Sequence, residues 1–251
     1  MNLYFLPILT SLITLFLWQL AVIWFHIEQW ILPGPLQIIN SFWQSRFLIF
    51  FHLIPTIFEA MIGLVTATII SIFIAILMER SRIIQKIFYP FLVLSQTVPF
   101  ITLAPLLTLW FGFGLLPKII IITLVCFFPI TINLYDGFKT VDPAVLKLLK
   151  SMGATRKQTY RWVKWPASLP SFFSGLKIAA AYSILGAVIS EWMGTDRGLG
   201  ILLIRSAKSY LTDRVFATIG VISILSIMTV LLVEIVARIS IPWHYYKFKK
   251  I

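Results

Sequence analysis

The chain has 251 residues, of which 59% are hydrophobic and only 12% are charged, and its formal net charge is +12. A soluble globular domain carries about 25% charged residues, so this composition excludes a water-soluble fold. The lone Cys126 excludes an internal disulfide, and we interpret it as a buried packing residue. The composition indicates an integral membrane protein, in which basic residues are typical of cytoplasmic loops rather than of nucleic-acid binding.

Six apolar stretches are each long enough to cross a bilayer as a helix. They cover residues 5–25, 53–77, 89–112, 118–138, 172–193 and 215–240. The first stretch lacks the basic start and the small-residue cleavage site of a signal peptide, so we expect it to be a retained span. The predicted fold is all-α, with six transmembrane helices in a single domain over residues 1–251.

The positions of Lys and Arg predict how these spans are oriented. If the N-terminus is inside, 15 of the 21 basic residues fall in the inner segments and the rest in the outer ones. Because cytoplasmic loops carry the excess of positive charge, we expect both termini in the cytoplasm.

Several prolines interrupt the predicted spans. They are Pro55, Pro90, Pro99, Pro105 and Pro129. Such prolines either kink helices for packing or free carbonyl groups along a solute path. The prolines in the stretch 89–112, followed by a Gly-Phe-Gly exit, make the third span the most irregular.

Residues 139–171 form the largest predicted cytoplasmic segment, and its first half has the signals of a short helix. Asp142 is a good N-cap, and Pro143 suits the first helical position. The apolar residues after them recur at helical spacing and predict one apolar face. These residues are Val145, Leu148, Leu149 and Met152. Gly153 is expected to end the helix as a residue with positive φ.

The second half of this segment predicts another short helix. Thr155 can cap it, and we expect it to run from Arg156 to Trp165 and to stop at Pro166. The segment is rich in Lys and Arg. It therefore suits either a hairpin lying on anionic membrane lipid or a docking site for a cytoplasmic partner.

Three carboxylates are predicted within or near the spans. Glu234 precedes Arg238 by four residues, so an ion pair on one helix explains it. Glu59 and Glu191, the latter beside Trp192, have two open interpretations. Each either forms structural hydrogen bonds or lines a translocation path.

The sequence carries no sign of a metal or nucleotide site. His26, His52 and His244 lack a metal-ligand spacing such as H-E-x-x-H, and we expect them to anchor the chain at the membrane interfaces. The glycine-containing segment 194–200 lacks the lysine and Ser/Thr of a P-loop, and no Walker motif occurs. We therefore expect no cofactor and no ATP hydrolysis in this chain.

The long loop resembles the E-A-A…G…I-x-L-P loop in permease subunits of binding-protein-dependent ABC importers. Gly153 and Pro166 keep the required spacing, whereas Lys147-Leu148-Leu149 replaces the E-A-A triplet. The resemblance implies that this loop is the coupling loop, which contacts the ATPase. The residues implied for this contact are Asp142, Pro143, Ser151, Gly153, Ala154, Val163 and Pro166.

The resemblance extends along most of the chain. Segments 32–35, 104–114, 141–143, 151–154 and 191–200 are similar to the nitrate/sulfonate/taurine branch of these permeases. Segments 96–99, 126–129, 212–217 and 242–245 look most like permeases for hydroxymethylpyrimidine, a thiamine precursor.

This resemblance implies a type I ABC importer permease in the bacterial plasma membrane. Two copies would form the path, and a separate cytoplasmic ABC ATPase dimer would bind ATP. An extracytoplasmic solute-binding protein would deliver the solute. The residues that we predict along the path are Glu59, Pro99, Glu191 and Trp192.

Three other functions are weighed against thiamine-precursor import. Aliphatic sulfonates, taurine or nitrate are alternative solutes for the same kind of permease. A self-sufficient secondary transporter would show paired broken helices and a midplane ion site, and we find no convincing internal repeat. A membrane enzyme would need a convergent acid, base or nucleophile set, and none is evident.

Overall fold

The computed structural model describes residues 5–193 and 195–246, and most of this part of the chain is helical. The helices are α1 Phe5–Trp24, α2 Pro35–Arg80, α3 Arg82–Ser95, α4 Phe100–Phe111, α5 Leu115–Lys139, α6 Pro143–Ser151, α7 Arg156–Thr159, α8 Trp165–Ser190, α9 Leu199–Lys208, α10 Thr212–Ser240 and α11 Pro242–Tyr246. A π-helical turn, Tyr160–Lys164, joins α7 to α8. Gly194 and both chain ends, whose cytoplasmic location is predicted above, lie outside the described residues.

The predicted all-α membrane fold is confirmed. Within the described residues, α1, α2, α5, the continuous segment 156–190 and α10 are long and apolar enough to cross a membrane. The pair α3–α4 is long and apolar enough to form a sixth, broken span or a re-entrant loop, and it is bent by 103° at the break between its two helices. The third predicted span, 89–112, which the sequence marks as the most irregular, is divided into the two helices α3 and α4. The chain leaves the helical conformation ahead of Pro99, since proline disfavours the α conformation in the residue before it.

Helix α2 is much longer than the predicted span 53–77. Its 46 residues begin at Pro35, directly after Gly34, and extend over about 69 Å, more than twice the thickness of a hydrocarbon core. The polar residues in the first half of α2 interrupt the apolar stretch, so hydropathy alone did not predict this part of the helix. Ser41 and Ser45 are in fact buried, because they face other helices rather than lipid.

The core of the bundle is the packing of α5 against α8. Small residues let the two backbones approach closely, as is usual in membrane interfaces. A Cβ atom built on Gly175 would lie 2.4 Å from the carbonyl oxygen of Pro129. Cys126, fully buried as expected, donates a 3.3 Å hydrogen bond from Sγ to the carbonyl oxygen of Ala179.

The helix that was expected to stop at Pro166 instead continues into α8. Pro166 lies in the first turn of α8, directly after the π-helical turn. Proline normally breaks a helix because it lacks an N–H and its ring contacts a preceding carbonyl group. The π-helical turn, in which Trp165 N–H donates to the carbonyl oxygen of Tyr160, has wider spacing and accommodates the ring.

Gly175→Ala tests the close α5–α8 contact. We expect the added methyl group to destabilise the protein by about 1–3 kcal/mol, because the facing atom is backbone and cannot rotate away. Gly220→Ala on α10 is the matched control, since a Cβ there meets nothing within 4 Å, and we expect it to be neutral or stabilising by up to about 1 kcal/mol. Thermal unfolding in detergent measures both, and equal midpoints for the two variants would contradict this packing.

Candidate functional site

The first helix of the coupling loop begins and ends as its sequence predicts. Asp142 Oδ1 accepts a 2.7 Å hydrogen bond from the N–H of Ala144, ahead of which Pro143 occupies the first turn. Gly153 has φ +79°. Its N–H donates to Lys150 and the next N–H, of Ala154, donates to Leu149. This pair of bonds is the Schellman arrangement that closes a helix C-terminus.

The second helix of the loop is capped by Thr155. Its hydroxyl accepts from the N–H of Gln158 at 3.3 Å, and the side chain of Gln158 in turn accepts from the N–H of Thr155 at 2.8 Å. This reciprocal capping box fixes where the second helix starts. The two helices are therefore set at a defined angle by local hydrogen bonds across residues 153–155.

An apolar groove of about 370 Å³ lies between the two loop helices. This loop groove is lined by Leu149, Met152, Gly153, Ala154, Gln158, Thr159, Trp162 and Val163. The side chains of Met152 and Trp162 are 74% and 75% exposed. Val145 and Leu148 are also exposed, so the predicted apolar face of α6 is uncovered in the single chain.

The residues predicted to couple to an ATPase lie in three places: in the loop groove, at the ends of α6 and in α8. Gly153, Ala154 and Val163 line the loop groove, whereas Asp142 and Pro143 lie at the start of α6. Ser151 ends α6, where its hydroxyl donates to the carbonyl oxygen of Lys147 at 3.1 Å. Pro166 lies in α8, outside the groove. Their contact with an ATPase stays a prediction.

The coupling loop is fastened to the bundle by contacts that the sequence did not reveal. Lys164 forms an ion pair with Glu79 near the end of α2. The ring of Phe138 on α5 lies 5.5 Å from that of Tyr160 and 6.2 Å from that of Trp165. These contacts join the second loop helix to α2 and α5.

A buried polar cluster lies at the opposite end of the bundle, around Glu191. Glu191 has no exposed surface. One carboxylate oxygen accepts from the hydroxyl of Thr56 and the other from the N–H of Gly200, both at 2.6 Å. Glu191 thereby joins the end of α8 to α2 and to the first turn of α9.

Three amides at the start of α9 are bound by side chains from distant parts of the chain or from the end of α8. Gly198 N–H donates to His52 Nδ1 at 3.0 Å, and Leu199 N–H donates to Thr56 Oγ1 at 2.9 Å. The Gly200 N–H donates to Glu191 in the same way. These bonds satisfy three N–H groups that would be unpaired in an isolated helix. We call His52, Thr56 and Glu191 the α9 cap.

Two glycines make room for the α9 cap. Gly198 has φ +134°, and a Cβ atom there would lie 2.2 Å from the carboxyl carbon of Glu191. A Cβ atom on Gly200 would lie 2.2 Å from the carbonyl oxygen of Val188. The spacing Glu191…Gly198-Leu199-Gly200 could have signalled this cap in the sequence, but His52 and Thr56 are too distant along the chain.

The contacts of Glu191 match the structural interpretation of this residue, while its place in the path stays a prediction. The same holds for Glu59, which is buried and ion-paired with Lys118 of α5. Trp192 follows Glu191 directly, and its Nε1 is buried without a hydrogen-bond partner among the described residues. Pro99 lies apart from these three, at the α3–α4 break.

The structure places His52 in a buried site and Glu234 in an ion-paired one. His52 is not an interface anchor, because it is buried in the α9 cap. The predicted pair of Glu234 with Arg238 is confirmed at 2.9 Å, and Lys177 of α8 joins it. No group of three or more potential metal ligands occurs among the described residues.

Comparison with known proteins decides the family. Residues 67–240 match the family described as the inner membrane component of binding-protein-dependent transport systems. This chain belongs to that ABC permease family. It is therefore a multi-pass membrane subunit that works with a solute-binding protein and an ATPase.

Individual relatives of this permease agree with the family assignment. It is 36% identical to the formylaminopyrimidine transport permease ThiX of Halalkalibacterium halodurans, over 92% of this chain and 95% of that one. It is 31% identical to the taurine transport permease TauC of Escherichia coli, over 77% and 70% of the two chains. A crystal structure of an amino acid ABC transporter shares the fold, with a TM-score of 0.63 and 17% identity over 81% of this chain and 97% of that one.

Glu191→Ala tests the α9 cap of the permease. We expect the amides of residues 198–202 to exchange hydrogen faster, because removal of the carboxylate leaves the buried Gly200 N–H without an acceptor, at a cost of about 1–3 kcal/mol. Hydrogen exchange by mass spectrometry measures this protection. Glu234→Ala is the control, since Glu234 pairs with Lys177 and Arg238, and the cap is absent if both variants exchange alike at α9.

Proposed function

We propose that this permease imports a pyrimidine precursor of thiamine. The observation that carries the proposal is the 36% identity to the formylaminopyrimidine permease along nearly the whole of both chains. The likeness to the taurine permease covers a smaller part of each chain, and taurine import is the second candidate. The pyrimidine is preferred because the likeness to its permease is higher in identity and covers more of both chains.

The proposed assembly contains two copies of this chain, with the path between them. Closed symmetric dimers are the commonest oligomers, and the family resemblance also implies two permease copies. The distribution of Lys and Arg supports a cytoplasmic location for both termini and for the coupling loop. A cysteine at Gln158 that reacts with an impermeant reagent outside intact cells contradicts this orientation.

The proposed contact with the ATPase dimer is the loop groove and the exposed face of α6. This surface is apolar at Val145, Leu148, Met152 and Trp162, as expected of the buried centre of a protein interface. The ATPase would bind ATP, and the permease itself would bind no cofactor. The ion pair of Lys164 with Glu79 supports transmission of the ATPase motion into α2.

Gly153→Val tests this contact through backbone geometry alone. Nothing lies within 4 Å of a Cβ at this position, so the substitution creates no clash, but a β-branched residue at φ +79° is strained by about 1–2 kcal/mol. We expect the variant to reach the membrane normally and to lose co-purification with the ATPase, because the two loop helices change their relative angle.

Two controls separate the shape of the loop from its charge. Gly153→Asn should keep the ATPase, since Asn tolerates positive φ better than other residues. Replacing Lys147 and Lys150 by Gln should also keep it, because exposed charges contribute modestly. If the lysine variant loses the ATPase while Gly153→Val retains it, the loop acts through charge, as in binding to anionic lipid, and the proposed contact is wrong.

Reconstitution of the complete importer tests the solute and the assembly. We expect vesicles containing permease, ATPase and the partner binding protein to take up formylaminopyrimidine when ATP is supplied, with two permease copies in the mass of the complex. Excess taurine should not compete with this uptake. Uptake of taurine in place of the pyrimidine would establish the second candidate, and uptake without ATP would exclude an ABC importer.

A further inference from the structure

The junction between α3 and α4, residues 95–99, lies at membrane depth, and we call it the span break. Helix α3 begins two residues after α2 ends, at the end of the bundle that carries the coupling loop. Phe100, the first residue of α4, packs against the cluster that contains Ile121 and Val125 of α5. Val125 is ten residues, about 15 Å, from the opposite end of α5 at Leu115. This packing points to a position of the span break within the hydrocarbon core, which is about 30 Å thick.

Several backbone carbonyl groups of the span break accept no hydrogen bond within the described chain. Gln96 and Thr97 donate their N–H groups back to the last turn of α3. Across the described chain, no hydrogen bond is made to the carbonyl oxygens of Gln96, Thr97 and Val98. The side chains of residues 96–99 are exposed on the surface of the single chain, so no other part of the described bundle covers these carbonyl groups.

Non-helical backbone that is exposed within the membrane cannot be in contact with lipid. Each unsatisfied carbonyl group in hydrocarbon costs several kcal/mol, and non-helical backbone in membrane proteins therefore lies against protein or a water-filled cavity. Lipid cannot satisfy the three free carbonyl groups, whereas water in a translocation path can. The exposed side of the span break therefore faces either a second copy of the chain or a water-filled path.

Among the side chains at the span break, the Gln96 carboxamide has most of its hydrogen-bonding groups available. Ser95 and Thr97 use their hydroxyls as donors to carbonyl oxygens of α3, at 2.7 and 2.8 Å. The Gln96 carboxamide makes only a 3.5 Å hydrogen bond to Ser95 Oγ among the described residues. No charged residue occurs from 95 to 99, so the site suits a neutral polar solute better than a sulfonate anion.

We propose that the span break lines the translocation path and that the Gln96 carboxamide hydrogen-bonds the pyrimidine solute as it passes. A carboxamide places a donor beside an acceptor, and an aminopyrimidine presents the complementary pair, a ring nitrogen beside an amino group. The same pairing lets Gln recognise adenine. The path-lining part stands on the geometry of this chain, while the identity of the solute rests on the proposed function.

Cysteine labelling tests the path-lining part without any solute. In a Cys126→Ala background, which removes the only native cysteine, we expect Gln96→Cys in the complete importer to react with a water-soluble methanethiosulfonate reagent. Ile227→Cys is the control, because Ile227 is an exposed apolar side chain at the centre of α10, and it should stay unreactive. A Gln96→Cys importer that remains unlabelled both with and without ATP would mean that a second copy or lipid covers the break, and the proposal is then wrong.

Uptake measurements test the solute contact. Gln96→Met keeps the length of the side chain and removes both hydrogen-bonding groups. We expect formylaminopyrimidine uptake at saturating binding protein to fall about tenfold. Gln85→Met, near the start of the same helix, should transport at the normal rate. Normal uptake by Gln96→Met overturns the contact.

The two proposals fail in different ways. If the unmodified importer takes up taurine and no pyrimidine, the proposed function fails and the pyrimidine contact fails with it, whereas labelling at position 96 still decides whether the span break lines the path. If the importer takes up the pyrimidine and Gln96→Met does so equally well, the proposed function holds and the contact alone is wrong.

Discussion

The absence of water from the bilayer core controls this structure, because every backbone group that leaves a helix there needs another partner. The chain meets this constraint differently at each irregular segment. The start of α9 is satisfied by the α9 cap, whose three side chains come from α2 and α8. The coupling loop, predicted to lie in the cytoplasm, is outside this constraint, and its shape is set by its own turn and capping hydrogen bonds. At the span break the carbonyl groups of Gln96, Thr97 and Val98 have no partner within the described chain, and this difference is the basis of the proposed path-lining role.

Charges within the bundle follow the same constraint. Glu59 is paired with Lys118, Glu79 with Lys164, and Glu234 with both Lys177 and Arg238. The first pair is buried, so removing one partner would leave an uncompensated charge in a region of low dielectric constant. Each pair except Glu234–Arg238 joins different helices, and the pairs thereby link α2 and α8 to their neighbours at both ends of the bundle.

Local sequence signals were reliable wherever the controlling interaction is local. Asp142, Gly153 and Thr155 mark the boundaries of the loop helices correctly, because each acts on backbone groups within about five residues. The apolar stretches predicted six spans for the reason that hydropathy is a property of neighbouring residues. The prediction for Pro166 was wrong because a π-helical turn ahead of it relieves the clash that usually ends a helix.

The sequence by itself determined the membrane environment, the helical fold, the shape of the coupling loop and, through its spaced motifs, the family. It could not give the long first half of α2, whose buried serines resemble exposed ones in a hydropathy pattern. Only the tertiary structure brought His52 and Thr56 to the start of α9, 143 or more positions away. It alone left the carbonyl groups of the span break uncovered. Contacts between distant residues depend on how the helices pack, and packing in a membrane is directed by shape and hydrogen bonds that no single stretch of sequence records.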